Sequence, residues 1–190
     1  MNNSELKQLL ADEKALYLGD NKNAVKQMKK SRHKRYYIWE YLYYFRLCQY
    51  NMSVRTDKSF GRFEKKIAKL KYKCYNKKKN KLSYKSGVEI GIACRIGKNC
   101  NIWHSGVVIN ADIGDNCIFH GNNILGNKGI GKENLNPTLG NNVDIGAGAV
   151  IIGDVKIADD SVIGAGAVVT KSFEDPGSII VGVPGKKINA

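Results

Sequence analysis

The side chains best suited to proton chemistry in the second half of this chain are His104 and His120, two of the three histidines in the sequence. An unperturbed imidazole titrates near neutrality, with a pKa of about 6.5, so it can take a proton from a weak nucleophile such as a hydroxyl as that group attacks. His104 stands in IWHSGVVIN, directly after Trp103, whose indole offers a flat apolar face. His120 stands in IFHGNN. Close to His104 it could bind an acceptor or polarise a carbonyl; as a satisfied ring in a polar turn it would do neither. His33 lies among Ser31, Arg32, Lys34 and Arg35 and reads as a solvated helix residue.

The element that must carry the two histidines is visible in the spacing of apolar residues. Leu139, Ile145, Ile151, Ile157, Ile163 and Val169 recur every sixth position, and small or β-branched residues follow at Val143, Ala149, Val155, Ser161 and Ala167. A second run has the same form: Ile90, Ile96, Ile102, Val108, then after one missing residue Ile113, Phe119 and Leu125. A helix repeats its apolar stripe every 3.6 residues and a half-buried strand every 2, so a sustained six fits neither. It fits a solenoid whose flat faces each take one hexapeptide, the apolar residue pointing inward and the small one filling a tight corner. At about 18 residues per turn of the solenoid, Ile102 is expected beneath Phe119. His120 then lies one turn above Trp103, on the same face as His104.

Charge divides the chain at the same place as the repeat. Residues 1–86 hold 23 Lys and Arg against 7 Asp and Glu, a net +16, whereas residues 87–190 hold 8 against 10, a net −2. The expected domains are therefore a basic, Tyr-rich helical region with its linker at 1–86 and the repeat at 87–190. The absence of proline before Pro137 suits helices in the first half. In RHKRYYIWEYLYYFRLCQY, Tyr37, Tyr41, Tyr44 and Phe45 share one side of a helix. Two readings stay open for it: a packing helix, or a basic interfacial helix drawn to anionic lipid or a lipid-linked sugar phosphate. KYKCYNKKKNK reads as a solvated linker. No run reaches the roughly 20 apolar residues of a membrane span, and the start lacks a signal-peptide pattern. A cytoplasmic protein is expected, with peripheral membrane contact through the basic half as one reading. Cys94, Cys100 and Cys117 fall at repeat corners as small buried thiols, and no metal site is expected.

From about Glu89 to Ile188 the chain resembles the hexapeptide-repeat acyltransferases, through VEIGIACRIGKNCNIWHSGVVINADIGDNCIFHGNNILGNKG, then IGAGAVIIGDVKI, VIGAGAVVTK and VGVPGKKI. The nearest likeness is to the branch holding serine acetyltransferases and the O-acetyltransferases of bacterial surface polysaccharides. That resemblance implies a mainly β fold, a left-handed parallel β-helix, here preceded by an α-helical region. It implies acetyl-CoA as acyl donor, no metal, and a homotrimer with donor grooves between neighbouring subunits. His104 takes the place of the catalytic histidine. Glu89 takes the place of the Asp that pairs with it, and a carboxylate there would hold the ring tautomer and stabilise the imidazolium as it forms. His120 is a further catalytic candidate. Likeness to the galactoside acetyltransferase branch carries donor contacts onto Ala147, Ala165, Thr170, Lys171 and Lys186. Small residues let the backbone approach a ligand, and lysines can meet phosphates as point charges.

Two departures bear on the acceptor. Serine acetyltransferases carry an Asp directly before the catalytic histidine and an Arg-His pair in the following loop; here these places hold Trp103 and Leu135-Asn136. Each lost charged hydrogen bond costs about 1.5–3 kcal/mol. A sugar hydroxyl of a capsule or exopolysaccharide unit is therefore expected as acceptor, with Trp103 stacking on the ring. Serine as acceptor, or a non-catalytic hexapeptide scaffold, are the alternatives; no nucleic acid partner is expected.

Overall fold

The computed structural model describes residues 1–131 and 135–188. It divides into two compact units, the first spanning Met1–Gly87 and the second starting at Val88.

The first unit is four helices: α1 (Asn3–Leu18), α2 (Lys22–Lys30), α3 (Lys34–Thr56) and α4 (Arg62–Ser86). Asn2 and Glu5 close a reciprocal cap at the start of α1, satisfying amides that a helix start leaves open. His33 is exposed, as expected, but it stands at the start of a helix and not within one. It is the N-cap of α3, and its Nδ1 accepts the Arg35 amide at 3.3 Å. Helix α3 is central, burying Tyr36, Ile38, Tyr41, Leu42, Phe45 and Cys48 against α1, α2 and α4. Arg46 crosses to α1, where its Nε and Nη2 donate to Glu13 Oε1 at 3.0 and 2.7 Å. Both side chains are buried.

The lysine run at 71–81 is not a linker but the middle of α4. The reason is the absence of Gly or Pro between Arg62 and Ser86, together with a buried stripe of Ala68, Lys79, Leu82 and Ser86 at helical spacing. Lysine is a good helix former, and its stem can lie on apolar surface while the ammonium stays wet. The outer side of α4 leaves Phe63, Leu70 and Tyr84 exposed among lysines. Among the described residues no helix is long and apolar enough to cross a membrane.

In the second unit the chain visits three sheets in rotation. Sheet A holds β1 (Val88–Ile90), β3 (Val107–Ile109), β6 (Ile124–Gly126), β9 (Val150–Ile152) and β12 (Val168–Val169). Sheet B holds β4 (Asp112–Ile113), β7 (Thr138–Leu139) and β10 (Lys156–Ile157). Sheet C holds β2 (Asn101–Ile102), β5 (Ile118–Phe119), β8 (Asp144–Ile145), β11 (Val162–Ile163), β13 (Ile179–Val181) and β14 (Lys186–Ile188). Every pairing is parallel except the last, β13 with β14. This is the stacked hexapeptide architecture expected from the repeat. Leu139, Ile145, Ile151, Ile157, Ile163 and Val169 are all buried, as are Val143, Ala149, Val155, Ser161 and Ala167. Ile102 lies beneath Phe119.

The corner from sheet B to sheet C is fixed by a ladder. Asn99, Asn116, Asn142 and Asp160 all take left-handed backbone, φ 55–59°, which short polar side chains tolerate best after glycine. Their side chains bond upward from turn to turn at 3.3, 3.0 and 2.8 Å.

One inward position differs from expectation. Val108 faces outward and half-buried, whereas Val107 and Ile109 are buried. The corner between Ile102 and Ile109 holds one residue more than the corner above it, between Phe119 and Leu125. Gly106, at φ +82°, absorbs the extra residue beside Asn122. That longer corner carries His104.

Candidate active site

The corners joining sheet C to sheet A lie one above another and gather most of the expected site residues. The lowest, between β2 and β3, carries Trp103 and His104; the next, between β5 and β6, carries His120 and Gly121. Ala147 and Ala165 occupy the following two. The column is stitched by backbone bonds: Asn122 donates to Ser105 at 3.0 Å, Gly148 to Gly121 at 2.9 Å and Gly166 to Ala147 at 2.9 Å. Asn123, fully buried, ties two corners together by accepting from the Gly121 amide at 3.0 Å and donating to Gly146 O at 2.8 Å.

His104 is exposed at this edge. Gly121 closes over its stem, because a Cβ built on Gly121 would stand 2.7 Å from the His104 Cβ. Glu89 projects outward from β1, aligned with Val108 on the sheet A side of the same edge. Among the described residues neither the His104 ring nor the Glu89 carboxylate makes a hydrogen bond, so the two are not joined in this state.

His120 is held differently. Its Nε2 lies 2.7 Å from Asp144 Oδ1, and its ring centroid is 4.4 Å from that of Trp103, tilted by 52°. Asp144 was not picked out from the sequence. The signal that finds it is register: Ile118 pairs with Asp144 and Phe119 with Ile145, which sets the carboxylate diagonally above His120. The 127–137 insertion between these turns hides that register from a six-residue count. Gly121 and Asn123 were missed for the same reason, being defined by the turn above or below.

The other expected donor residues sit elsewhere on the unit. Thr170 and Lys171 follow β12, on the edge leading from sheet A toward sheet B, and Lys171 lies over the Phe173 ring at 5.4 Å. Lys186, on β14, is paired with Val181 and exposed, while the neighbouring Gly185 amide donates to Val168 O at 2.8 Å. Asn136 lines a cavity of about 300 Å³ with Cys94, Asp112, Thr138 and Asp154, also at the edge between sheets A and B. Leu135, beside it, is exposed. Within one protomer the Leu135-Asn136 pair is therefore not at the His104 corner.

A model for the bacterial transferase hexapeptide, six repeats, matches residues 136–171. Among curated proteins the chain is 42% identical over 106 residues to serine acetyltransferase of Mycobacterium tuberculosis, covering 54% of this chain and 46% of that protein. It is 38% identical over 125 residues to serine acetyltransferase of Staphylococcus aureus, covering 60% and 58%. The chain thus spans about half the length of these relatives. Serine acetyltransferase of Neisseria gonorrhoeae superposes on 98% of this chain and 68% of its own, with a TM-score of 0.68 and 27% identity; it has also been solved in complex with serine. The hexapeptide-repeat resemblance read from the sequence is borne out. The expected acceptor is not. Relatives at 38–42% identity are serine acetyltransferases, which overturns the sugar hydroxyl of a capsule unit and the link to polysaccharide synthesis. Side chains of neighbouring turns share this edge with Trp103, so a charge missing beside His104 does not by itself exclude serine.

Proposed function

We propose that this chain transfers the acetyl group of acetyl-CoA to the hydroxyl of L-serine, with His104 as general base. The observation that carries the reading is the His104 corner itself: an exposed imidazole shares one edge of the repeat with the small, exposed Ala147 and Ala165, in a chain whose relatives are serine acetyltransferases. His104 takes the serine hydroxyl proton as the oxygen attacks the thioester carbonyl. The tetrahedral intermediate collapses with cleavage of the C–S bond, and the imidazolium returns the proton to the departing CoA sulfur. Glu89 is proposed to close onto His104 when substrates bind, orienting the ring.

The donor is proposed to run along the Ala147–Ala165 edge, where small side chains leave backbone amides approachable, with Lys171 and Lys186 meeting its phosphates. Thr170, Lys171 and Asn136 lie on a different edge from His104. A homotrimer with left-handed coils, in which a neighbour brings that edge to the base, is therefore part of the proposal. The outer side of α4 is proposed as a peripheral contact for an anionic membrane surface on the cytoplasmic side, since its exposed apolar residues are flanked by lysines.

The test is release of CoA thiol from acetyl-CoA with L-serine as acceptor, alongside calorimetry of CoA binding. Turnover that depends on serine supports the reading. CoA binding without serine turnover would remove the acceptor, and the absence of CoA binding would remove the acyltransferase reading altogether.

A further inference from the structure

The side of the His104 corner that belongs to sheet C is built from three outward residues on three successive turns. Trp103 is 42% exposed, with one face against the His120 ring. His120 reaches upward to Asp144. Gly146 occupies the place directly above His120, since Phe119 pairs with Ile145, so no side chain stands between the imidazole and the Asp144 carboxylate. His120 engages Oδ1, and among the described residues Oδ2 has no partner. The Asp144 side chain is 40% exposed, so Oδ2 is open to a ligand.

This wall offers a carboxylate oxygen and a free indole face, and none of its residues is a lysine or arginine. Both features attract a cation. A carboxylate accepts charge-assisted hydrogen bonds from an ammonium, and an indole face draws the same group through its quadrupole. The geometry points to Asp144, held by His120 beside Trp103, as the subsite for the α-ammonium of the acceptor. Asp144 touches the substrate, Trp103 covers it, and His120 is a positioning residue that fixes the carboxylate. The inference rests on the serine reading and deepens it. The charge that Trp103 does not supply next to the base comes from a later turn of the repeat.

The experiment compares L-serine with 3-hydroxypropionate, which keeps the hydroxyl and carboxylate and lacks the ammonium. Wild type, Asp144→Asn, Asp144→Glu and Trp103→Leu are assayed for CoA thiol release, with KM and kcat separated. Asn preserves a hydrogen bond to His120 while removing the charge. Asp144→Asn is expected to raise KM for L-serine by about tenfold or more, the scale of one lost charge contact. It should leave kcat nearly unchanged and leave 3-hydroxypropionate kinetics as in the wild type. Asp144→Glu should recover part of the serine KM, and Trp103→Leu should weaken serine alone. An equal loss on both acceptors would make Asp144 a structural residue and overturn the subsite, as would an unchanged serine KM. A wild type that turns over neither acceptor removes the serine reading and the subsite together, whereas serine turnover with an indifferent Asp144→Asn removes the subsite only.

Discussion

Gly121→Ala is expected to cripple acetyl transfer while leaving the repeat folded. The Cβ it adds would stand 2.7 Å from the His104 Cβ, 3.3 Å from Ser105 O and 3.4 Å from the His104 carbonyl carbon. Gly121 also sits at φ +116°, where an L side chain is strained by about 1–3 kcal/mol. Overlap with a neighbour whose own backbone is held in a corner adds about 1–3 kcal/mol. Together they give a destabilisation of about 2–6 kcal/mol, relieved in part by pushing His104 aside. A displacement of the base by about 1 Å costs on the order of 10²-fold in rate. Gly177→Ala separates the two contributions, because Gly177 has φ +68° but no atom within 4 Å of its built Cβ. It should lose only the backbone component, about 1–3 kcal/mol, and keep its kcat. Thermal melting and CoA thiol release on both variants provide the comparison. Gly121→Ala with wild-type kcat, or with a loss matched by Gly177→Ala, would refute the idea that Gly121 seats the base.

Four further outcomes follow from the same structure. His104→Ala should lower kcat by about 10²–10⁴-fold with CoA affinity by calorimetry unchanged; near-normal turnover would shift the base to His120. Glu13→Ala removes the buried carboxylate that accepts two bonds from Arg46 and should destabilise the helical unit by about 3–5 kcal/mol, read as an earlier melting of helical circular dichroism; a loss under 1 kcal/mol, the order of a surface pair, would contradict it. Cys74 is exposed, whereas burial pushes the Cys48 thiol up to about 11, so a thiol reagent at mildly alkaline pH should modify Cys74 quickly and Cys48 slowly or not at all. An environment-sensitive dye on Cys74 should then shift to the blue with anionic vesicles and not with neutral ones, and the shift should fade as salt rises. Equal shifts with both vesicle types would remove the electrostatic contact.

What the sequence disclosed and what it hid divide along the inside and outside of the repeat. Inward residues obey a rule of close packing that recurs every six positions, so the core places of Leu139 through Val169 are legible from spacing alone. The rule failed where the backbone gained a residue, at the corner of His104. There the expected Val108 gave way to Val107 and Ile109, because a corner with a positive-φ glycine can take up an extra residue without disturbing the strands on either side. The helical half was legible as helix through its composition, but the lysine run at 71–81 misled. Charge density suggested a solvated connector, while the deciding feature was the apolar stripe running through it at Ala68 and Leu82. Outward residues follow no such rule, and they are what an acceptor meets. His120 and Trp103 were placed together from the count along one turn, yet Asp144 lay beyond the insertion at 127–137 and its bond to His120 was invisible. The loss of a charge at Trp103 was read along the chain, where neighbours are sequential. A ligand at the edge of a stacked repeat reads across turns, where Trp103, His120 and Asp144 are consecutive. In such a fold a charge deleted at one position can be restored a turn or two away without any trace in the local motif. Specificity therefore has to be argued from the column of outward side chains and not from the residue beside the base.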